Sequence, residues 1–422
     1  MTPRVWQLFG VVLIAIFALS TAHSAYGFVV TATIPVGKPG TDQPYDYYAT
    51  YDSAKGEVFV SNSGSDTVSV ISDSTNAVIA TVPMRYAPYA LTYDSGKGEV
   101  FVCNGNAATK LGTVSVISDS TNAVVANVTV GSDPIGIAYD SAKGEIFVAN
   151  SDDIPPDMSV ISDSTNTVVA TITLAGNTYV PIGGIAYDSG KGEIFVAIQG
   201  YDTVAVISDS TYALIATVPT IYPPQAGVAY GVAYDPGKGE VFVTHAGVNT
   251  VTVISDSTNS IVANVTVGLT PEEVAYDSHT GEIFASNTVD GTVSIISDST
   301  NAVVTTLKAG DGAFGLAYDS GKSEMFVTNA GDSTVSVISE STASSTTTTS
   351  SATTTPTTTS QSPTTTQSTA SSTTSGGGGV PEFPYQLVAA TVFTFLLIAS
   401  YLLLRHRTIP RDHVGQAPTT IS

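Results

Sequence analysis

Few residues in this chain are equipped for chemistry. Of its five histidines, His23, His406 and His413 lie towards the termini, which leaves His245 and His279 for acid–base or metal work in the body of the chain. Neither stands in a His-Glu-x-x-His or Gly-x-Ser-x-Gly setting. Cys103 is the single cysteine, so it has no intrachain disulfide partner, and a small buried side chain is the role its type favours. Ser151, Asp152 and Asp153, with Asp157 beyond them, offer the clustered oxygens that Ca2+ takes, although the spacing matches no defined calcium loop. No other cofactor, and no catalytic residue, is expected.

Recognition chemistry is better supplied. Tyr45, Tyr47, Tyr48, Tyr86, Tyr89, Tyr179, Tyr201, Tyr222 and Tyr230 fall in stretches that vary in length and composition. Tyrosine combines apolar area with a polar tip and few rotors, which suits contact with a glycan or another protein; the same rings can also simply pack loops onto a scaffold. Asn127 and Asn264 each head an Asn-x-Thr triplet, the acceptor pattern for N-glycosylation.

Charge narrows the partners. The net charge is −22 with only 14 basic residues, and no basic cluster is present in the body of the chain to neutralise phosphates, so nucleic acid is excluded. Both ends carry membrane signals instead. An apolar run from Trp6 to Leu19 follows Arg4 and precedes Ala22, Ser24, Ala25 and Gly27, the pattern of a secretory signal peptide over residues 1–25; an uncleaved anchor is the alternative. Residues 387–404 carry no charge, are long enough to span a bilayer as a helix, and are followed by Arg405, Arg407 and Arg411, which orients that end to the cytoplasm. Before them, residues 340–379 are dominated by Ser and Thr and end in four glycines, a composition that cannot bury a core and reads as a disordered, glycan-prone stalk. The expected organisation is therefore a signal peptide at 1–25, a folded body at 28–339, a stalk at 340–379, a membrane segment with its flanks at 380–411 and a short tail at 412–422.

The elements that must position these side chains follow from a repeat. Tyr-Asp occurs at Tyr51, Tyr93, Tyr139, Tyr187, Tyr234, Tyr276 and Tyr318, spaced 42 to 48 residues apart. Each unit holds four short β-prone runs separated by Gly, Asp, Ser and Asn clusters, and no segment shows helical periodicity over a useful length. The first run is rich in small residues, as expected of inner strands converging on a channel, and the next two are almost continuously apolar, as strands covered on both faces must be. Asp-Ser-Gly-Lys-Gly-Glu joins the first and second runs, where glycine can take a positive φ, and Ser-Asp-Ser-Thr-Asn joins the third and fourth, where Asn tolerates the left-handed region. The pattern predicts an all-β, seven-bladed propeller of four-stranded blades. Residues 28–36 resemble a fourth run with no unit before it, while the last unit stops after its third, so the N-terminal strand should complete the last blade and hide its edge. One face of the disc is nearly invariant, and its alternating lysines and glutamates read as a solvated rim. The loops of the other face vary and carry the tyrosines.

The second runs read Phe59-Val60-Ser61-Asn62, Phe101-Val102-Cys103-Asn104, Phe147-Val148-Ala149-Asn150, Phe284-Ala285-Ser286-Asn287 and Phe326-Val327-Thr328-Asn329, each followed by a Thr-Val-Ser-Val-Ile-like third run. This resembles the YVTN-family β-propeller repeat of prokaryotic, often archaeal, surface-layer-like proteins, over residues 28–339. Ile198 and His245 replace the Asn in two units, which implies different rims there. Some lyase propellers similar to this repeat use channel-mouth histidines, which would give His245 such a place. Val380-Pro381-Glu382-Phe383-Pro384, the apolar segment and the arginines resemble the PEF-CTERM sorting signal of archaeal surface proteins, which implies removal of the helix by an archaeosortase in exchange for a lipid. The tail from Arg405 is longer than such a signal requires, so retention as an ordinary anchor stays open.

These features together lead us to expect a non-enzymatic cell-surface propeller that serves in binding, adhesion or surface-layer organisation. Its variable Tyr-rich face would meet a cell-envelope glycan or surface protein, and its C-terminus would hold it to the cytoplasmic membrane. The alternative is a secreted lyase- or hydrolase-like enzyme working at the channel mouth.

Overall fold

A computed structural model describes residues 27–37, 47–105, 112–174, 181–220 and 228–341. The signal peptide, the membrane segment and the stalk beyond residue 341 expected from the sequence lie outside the described residues; Glu340 and Ser341, expected to open the stalk, instead end the last strand, paired with Phe28 and Gly27. Among the described residues no helix is long and apolar enough to cross a membrane, and the only helical pieces are 3-10 turns at Ser63–Ser65 and Gln199–Tyr201.

The described residues form twenty-eight strands, β1 to β28 in chain order, arranged as seven antiparallel sheets of four. Blade 3 shows how the repeat becomes a sheet: β10 (Pro134–Asp140), β11 (Glu145–Asn150), β12 (Asp157–Ser162) and β13 (Thr167–Thr173) follow one another from the channel outward. Blade 7 is assembled from both ends of the ring. β26 (Ala313–Asp319), β27 (Glu324–Asn329) and β28 (Thr334–Ser341) come last in the chain, and β1 (Gly27–Pro35) pairs antiparallel with β28 as the outermost strand. The expected closing strand is thus observed, and the innermost strands contact one another around a complete ring.

The core lies between the blades. Alternate residues of each middle strand face opposite neighbours: Val58 and Val60 pack with Phe326, Val335 and Val337 of blade 7, while Phe59 packs with Leu91, Val100 and Val102 of blade 2. Seven such clusters exist, one per junction, and each is built from large, fully buried Phe, Ile and Val side chains. This is why the second and third runs lack the polar alternation of a one-sided sheet.

The outermost strands are edges, and each carries a bulge that interrupts pairing and twists the edge away from a foreign strand. The skipped residue is Ile79, Val125, Val169, Ile215, Val262 or Val304 in six blades, and Thr31 in β1.

The repeated face proves to be a set of clasps rather than the solvated rim its charges suggested. In blade 3, Asp140 is fully buried and its Oδ1 accepts the amides of Ala142 and Lys143 at 2.9 and 3.2 Å. Gly144 follows at φ +66°, and a Cβ there would come within 2.5 Å of the Asp163 carboxylate, so both conformation and space demand glycine. The Lys143 ammonium then reaches into blade 4 to pair with Asp209 at 3.1 Å. In return, the Tyr187 hydroxyl of blade 4 lies beside Asp140, and burial together with that carboxylate pushes its pKa well up. The ion pair recurs as Lys55 with Asp119, Lys191 with Asp256, Lys238 with Asp298 and Lys322 with Asp73, and Lys97 donates to the main-chain carbonyl of Asp163. In the third-to-fourth turns Asn76, Asn122, Asn166, Asn259 and Asn301 take positive φ as anticipated; Tyr212 takes that place in blade 4 and donates to Glu145 at 2.6 Å.

Candidate functional site: the channel and its variable mouth

Each inner strand enters from the variable face and leaves at a Tyr-Asp pair, so the residues at its start reach the channel mouth on the variable side. Three aromatics meet there. Tyr48 of blade 1 and Tyr230 of blade 5 bring their hydroxyls to 3.3 Å, and Phe314 of blade 7 stands edge-on to both rings, with centroid distances of 5.0 and 6.1 Å. The three come from blades far apart in the chain, joined only because the ring closes.

The other predicted tyrosines have different fates. Tyr47 is fully buried, its hydroxyl donating to the Gly37 carbonyl at 2.8 Å, which makes it part of the blade 7/blade 1 core rather than a contact residue. Tyr89 packs over Gly105 and against the blade 2/blade 3 core. Tyr86 is half-buried with the Arg85 guanidinium 5.2 Å above its ring, and Tyr201 is 42% exposed on the second 3-10 turn. Tyr45, Tyr179 and Tyr222 lie outside the described residues.

Tyr48 and Tyr230 also line a cavity of about 100 Å³ in the channel, together with Gly136, Gly183, Gly184 and Glu273 and apolar side chains such as Leu91 and Ile137. The glycines permit a close approach of inner strands: a Cβ on Gly136 would sit 2.2 Å from the Gly183 carbonyl oxygen, and one on Gly184 2.7 Å from that of Tyr230. In blade 6 the equivalent strand, β22 (Pro271–Asp277), carries glutamates instead. The Glu272 carboxylate accepts from Thr288 Oγ1 at 2.7 Å. The main chain of Glu273 is held by Ser286, whose Oγ accepts its amide at 3.1 Å, and Glu273 is the one acidic residue among the described residues lining the cavity. Burial, then the charge of Glu272, raises the Glu273 pKa to about 8 against a smaller opposing pull from the Val274 amide, so near neutrality it is largely protonated.

Sequence reasoning had passed over Glu273. The signal was an exception within the repeat: three residues before the Tyr of Tyr-Asp, Gly136, Gly184, Gly231 and Gly315 occupy four blades, and Glu273 takes that position in the sixth.

His245 does not reach the channel mouth. It occupies the Asn position of its repeat at the end of β19 (Glu240–His245), fully buried between strands, with neither ring nitrogen partnered among the described residues. Burial lowers its pKa to about 4 against a smaller opposing pull from Asp202, so it is neutral. The asparagines it replaces are internal too, Asn62 donating to Ser69 at 3.0 Å, so these departures alter the blade interior and not a rim. His279 is a turn residue whose amide donates to Asp277. Cys103 is buried, its thiol directed at the Gly136 carbonyl at 3.9 Å and its pKa pushed up by burial, as expected of an inert packing residue. In the acidic loop, Asp153 accepts the Ser132 amide at 2.8 Å and Asp157 accepts from Asn150 at 2.7 Å. Among the described residues, no group of three or more His, Cys, Asp or Glu side chains is placed to hold a metal. Asn127 and Asn264 are exposed on outermost strands, each with Oδ1 accepting a third-strand hydroxyl at 2.8 Å, from Ser115 and Thr252 respectively.

No family model matches the chain, and no curated protein does. Among solved structures it is similar to Kuenenia stuttgartiensis hydrazine synthase, with a TM-score of 0.62 and 17% identity over 71% of this chain and 96% of the other. At that identity the likeness shows the propeller fold and nothing of its use.

Proposed function

We propose that this protein is a non-enzymatic surface propeller of the YVTN type, exported by its N-terminal signal and held at the cytoplasmic membrane by its C-terminal segment, either as a retained helix or after PEF-type processing to a lipid. Its variable face meets a cell-envelope glycan or a surface protein. The observation that supports this most is the division of labour within each blade. The repeated face commits its Asp, Lys and Tyr side chains to neighbouring blades, whereas Tyr86 and Tyr201 on the other face retain accessible ring area. Full-length wild-type protein and a Tyr86→Ala/Tyr201→Ala variant, compared on envelope-glycan arrays and isolated cell envelopes, should differ at least tenfold in retention with the circular dichroism unchanged. Equal retention would remove the variable face from the proposal. Mass spectrometry of the native C-terminus distinguishes helix retention from processing.

A second reading, a secreted enzyme acting at the channel mouth, draws on one observation: Glu273 titrates near the range in which a carboxyl serves as a general acid.

A further inference from the structure

We propose that the channel cavity is a binding site for a small ammonium cation, such as ammonium or methylammonium, held by the Glu273 carboxylate in a lining shared with Tyr48 and Tyr230. This goes beyond the variable-face proposal and does not depend on it, since the cavity lies inside the ring and Tyr86 and Tyr201 do not line it.

Size comes first. A space of about 100 Å³ is several times the roughly 10–15 Å³ that a single water needs, which is room for a small ion.

Sign of charge comes second. Among the described residues the lining has no Lys, Arg or His, Glu273 is its one ionisable carboxyl, and Glu272 stands next to it in the chain with its carboxylate on Thr288. The channel therefore selects cations, and the acidity of the whole chain adds to that preference.

Third is the kind of cation. A divalent metal would call for several carboxylates at once, whereas one carboxyl in a lining shared with two tyrosines suits a monovalent ammonium, which can take a charge-assisted hydrogen bond and aromatic contact together. Glycine backbones in blades 3 and 4 supply the remaining polar wall. Their second strands carry Ala149 and Ala197 where blades 1, 5, 6 and 7 carry the hydroxyls of Ser61, Thr244, Ser286 and Thr328, which bond inner-strand main chain. Alanine cannot make that bond, so the inner strands of these two blades receive no such hydroxyl.

Binding is linked to a proton. The empty cavity favours the neutral carboxyl of Glu273; on entry of the ammonium its proton leaves to solvent, and the ion pair replaces it. Glu272, Tyr48 and Tyr230 are the other titratable groups at the site, and Glu272 favours cation entry by the same repulsion that holds the Glu273 proton.

The test is calorimetric titration of the full-length protein with methylammonium chloride in two buffers of different ionisation enthalpy. The expected result is saturable binding that releases close to one proton at pH 7, tightens about fivefold between pH 7 and 8 as that proton ceases to be retained, and weakens at least tenfold in Glu273→Gln. Tetramethylammonium, which has no N–H to donate to the carboxylate, should bind at least tenfold more weakly, and Tyr86→Ala should bind as wild type. Three outcomes would each overturn the assignment: no methylammonium heat with wild-type protein of intact circular dichroism, undiminished binding by folded Glu273→Gln, or tetramethylammonium binding as well as methylammonium. Should Glu273→Gln not fold, Glu273→Asp substitutes: drawing the carboxylate back must weaken binding while proton release is kept.

Discussion

The two ends of each inner strand obey different rules. At one end stands a Tyr-Asp pair repeated in all seven blades, and the chemistry there is nearly uniform: the aspartate closes its own turn, the following tyrosine ring leans on the aspartate of the preceding blade, and a lysine reaches forward to the next blade in six of seven. A few residues away, at the mouth, the blades disagree, with Tyr48, Ala90, Gly136 and Glu273 at one equivalent position. Repetition in this chain therefore marks bonds that every junction needs, and the exceptions mark where a blade has been released from that need.

The largest effect should come from breaking closure itself. Deleting residues 27–35 leaves β28 as an unpaired edge and removes Phe28, packed edge-on to Phe284 at 5.3 Å, and Ile34, which is buried. The variant should fail to accumulate as a soluble monomer, and size-exclusion chromatography with circular dichroism checks this. A folded, monodisperse product would mean that the ring is held by the junction cores alone.

Next in size is the repeated end. Asp140→Ala strips two amides of their acceptor and leaves Tyr187 without its carboxylate, all in a buried setting. Denaturant unfolding should show a loss on the order of 2–4 kcal/mol. A loss near that of an exposed turn substitution would demote the Tyr-Asp ring from scaffold to decoration.

The contrast also explains what could be read from the chain. The Tyr-Asp period, the small inner residues and the orphan first strand were sufficient for blade number, strand order and closure, because each is a local pattern repeated seven times. The clasps were not legible. Lys143 pairs with Asp209 in the next blade, so its turn looks like any solvated run of alternating charge until the blades are placed side by side. The Tyr48 to Tyr230 contact spans 182 residues across the channel and has no local signature. Tyr47 and Tyr48 are sequence neighbours, yet one is core and the other faces the channel, a division set by the start of the inner strand and not by residue type. Glu273 was hidden for the opposite reason: the rule that inner strands take small residues was correct for most blades, and its violation was the information.

The smallest predicted effect tests the one junction where the repeated end itself departs. Blade 6 has Thr280 in place of the clasp lysine, its hydroxyl turned to Asp277 at 2.8 Å, and blade 7 faces it with Glu340. Without a cation, burial and then Asp298, Asp277 and Glu340 raise the pKa of Glu282 to about 7. A carboxyl raised in the folded state contributes stability that is fully present below its unfolded value and is lost as pH climbs through the folded value, so this junction weakens between about pH 4.5 and 7. Thr280→Lys restores the ammonium that the other six blades have and should return Glu282 towards an ordinary carboxylate. Because the site is partly solvated, the gain should be only about 0.5–1 kcal/mol, greatest above pH 7 and nearly absent at pH 5, as read from paired unfolding curves at the two pH values. A gain equal at both would show that the lysine acts by packing its stem, and that the charge left uncompensated at the closing junction costs the ring nothing.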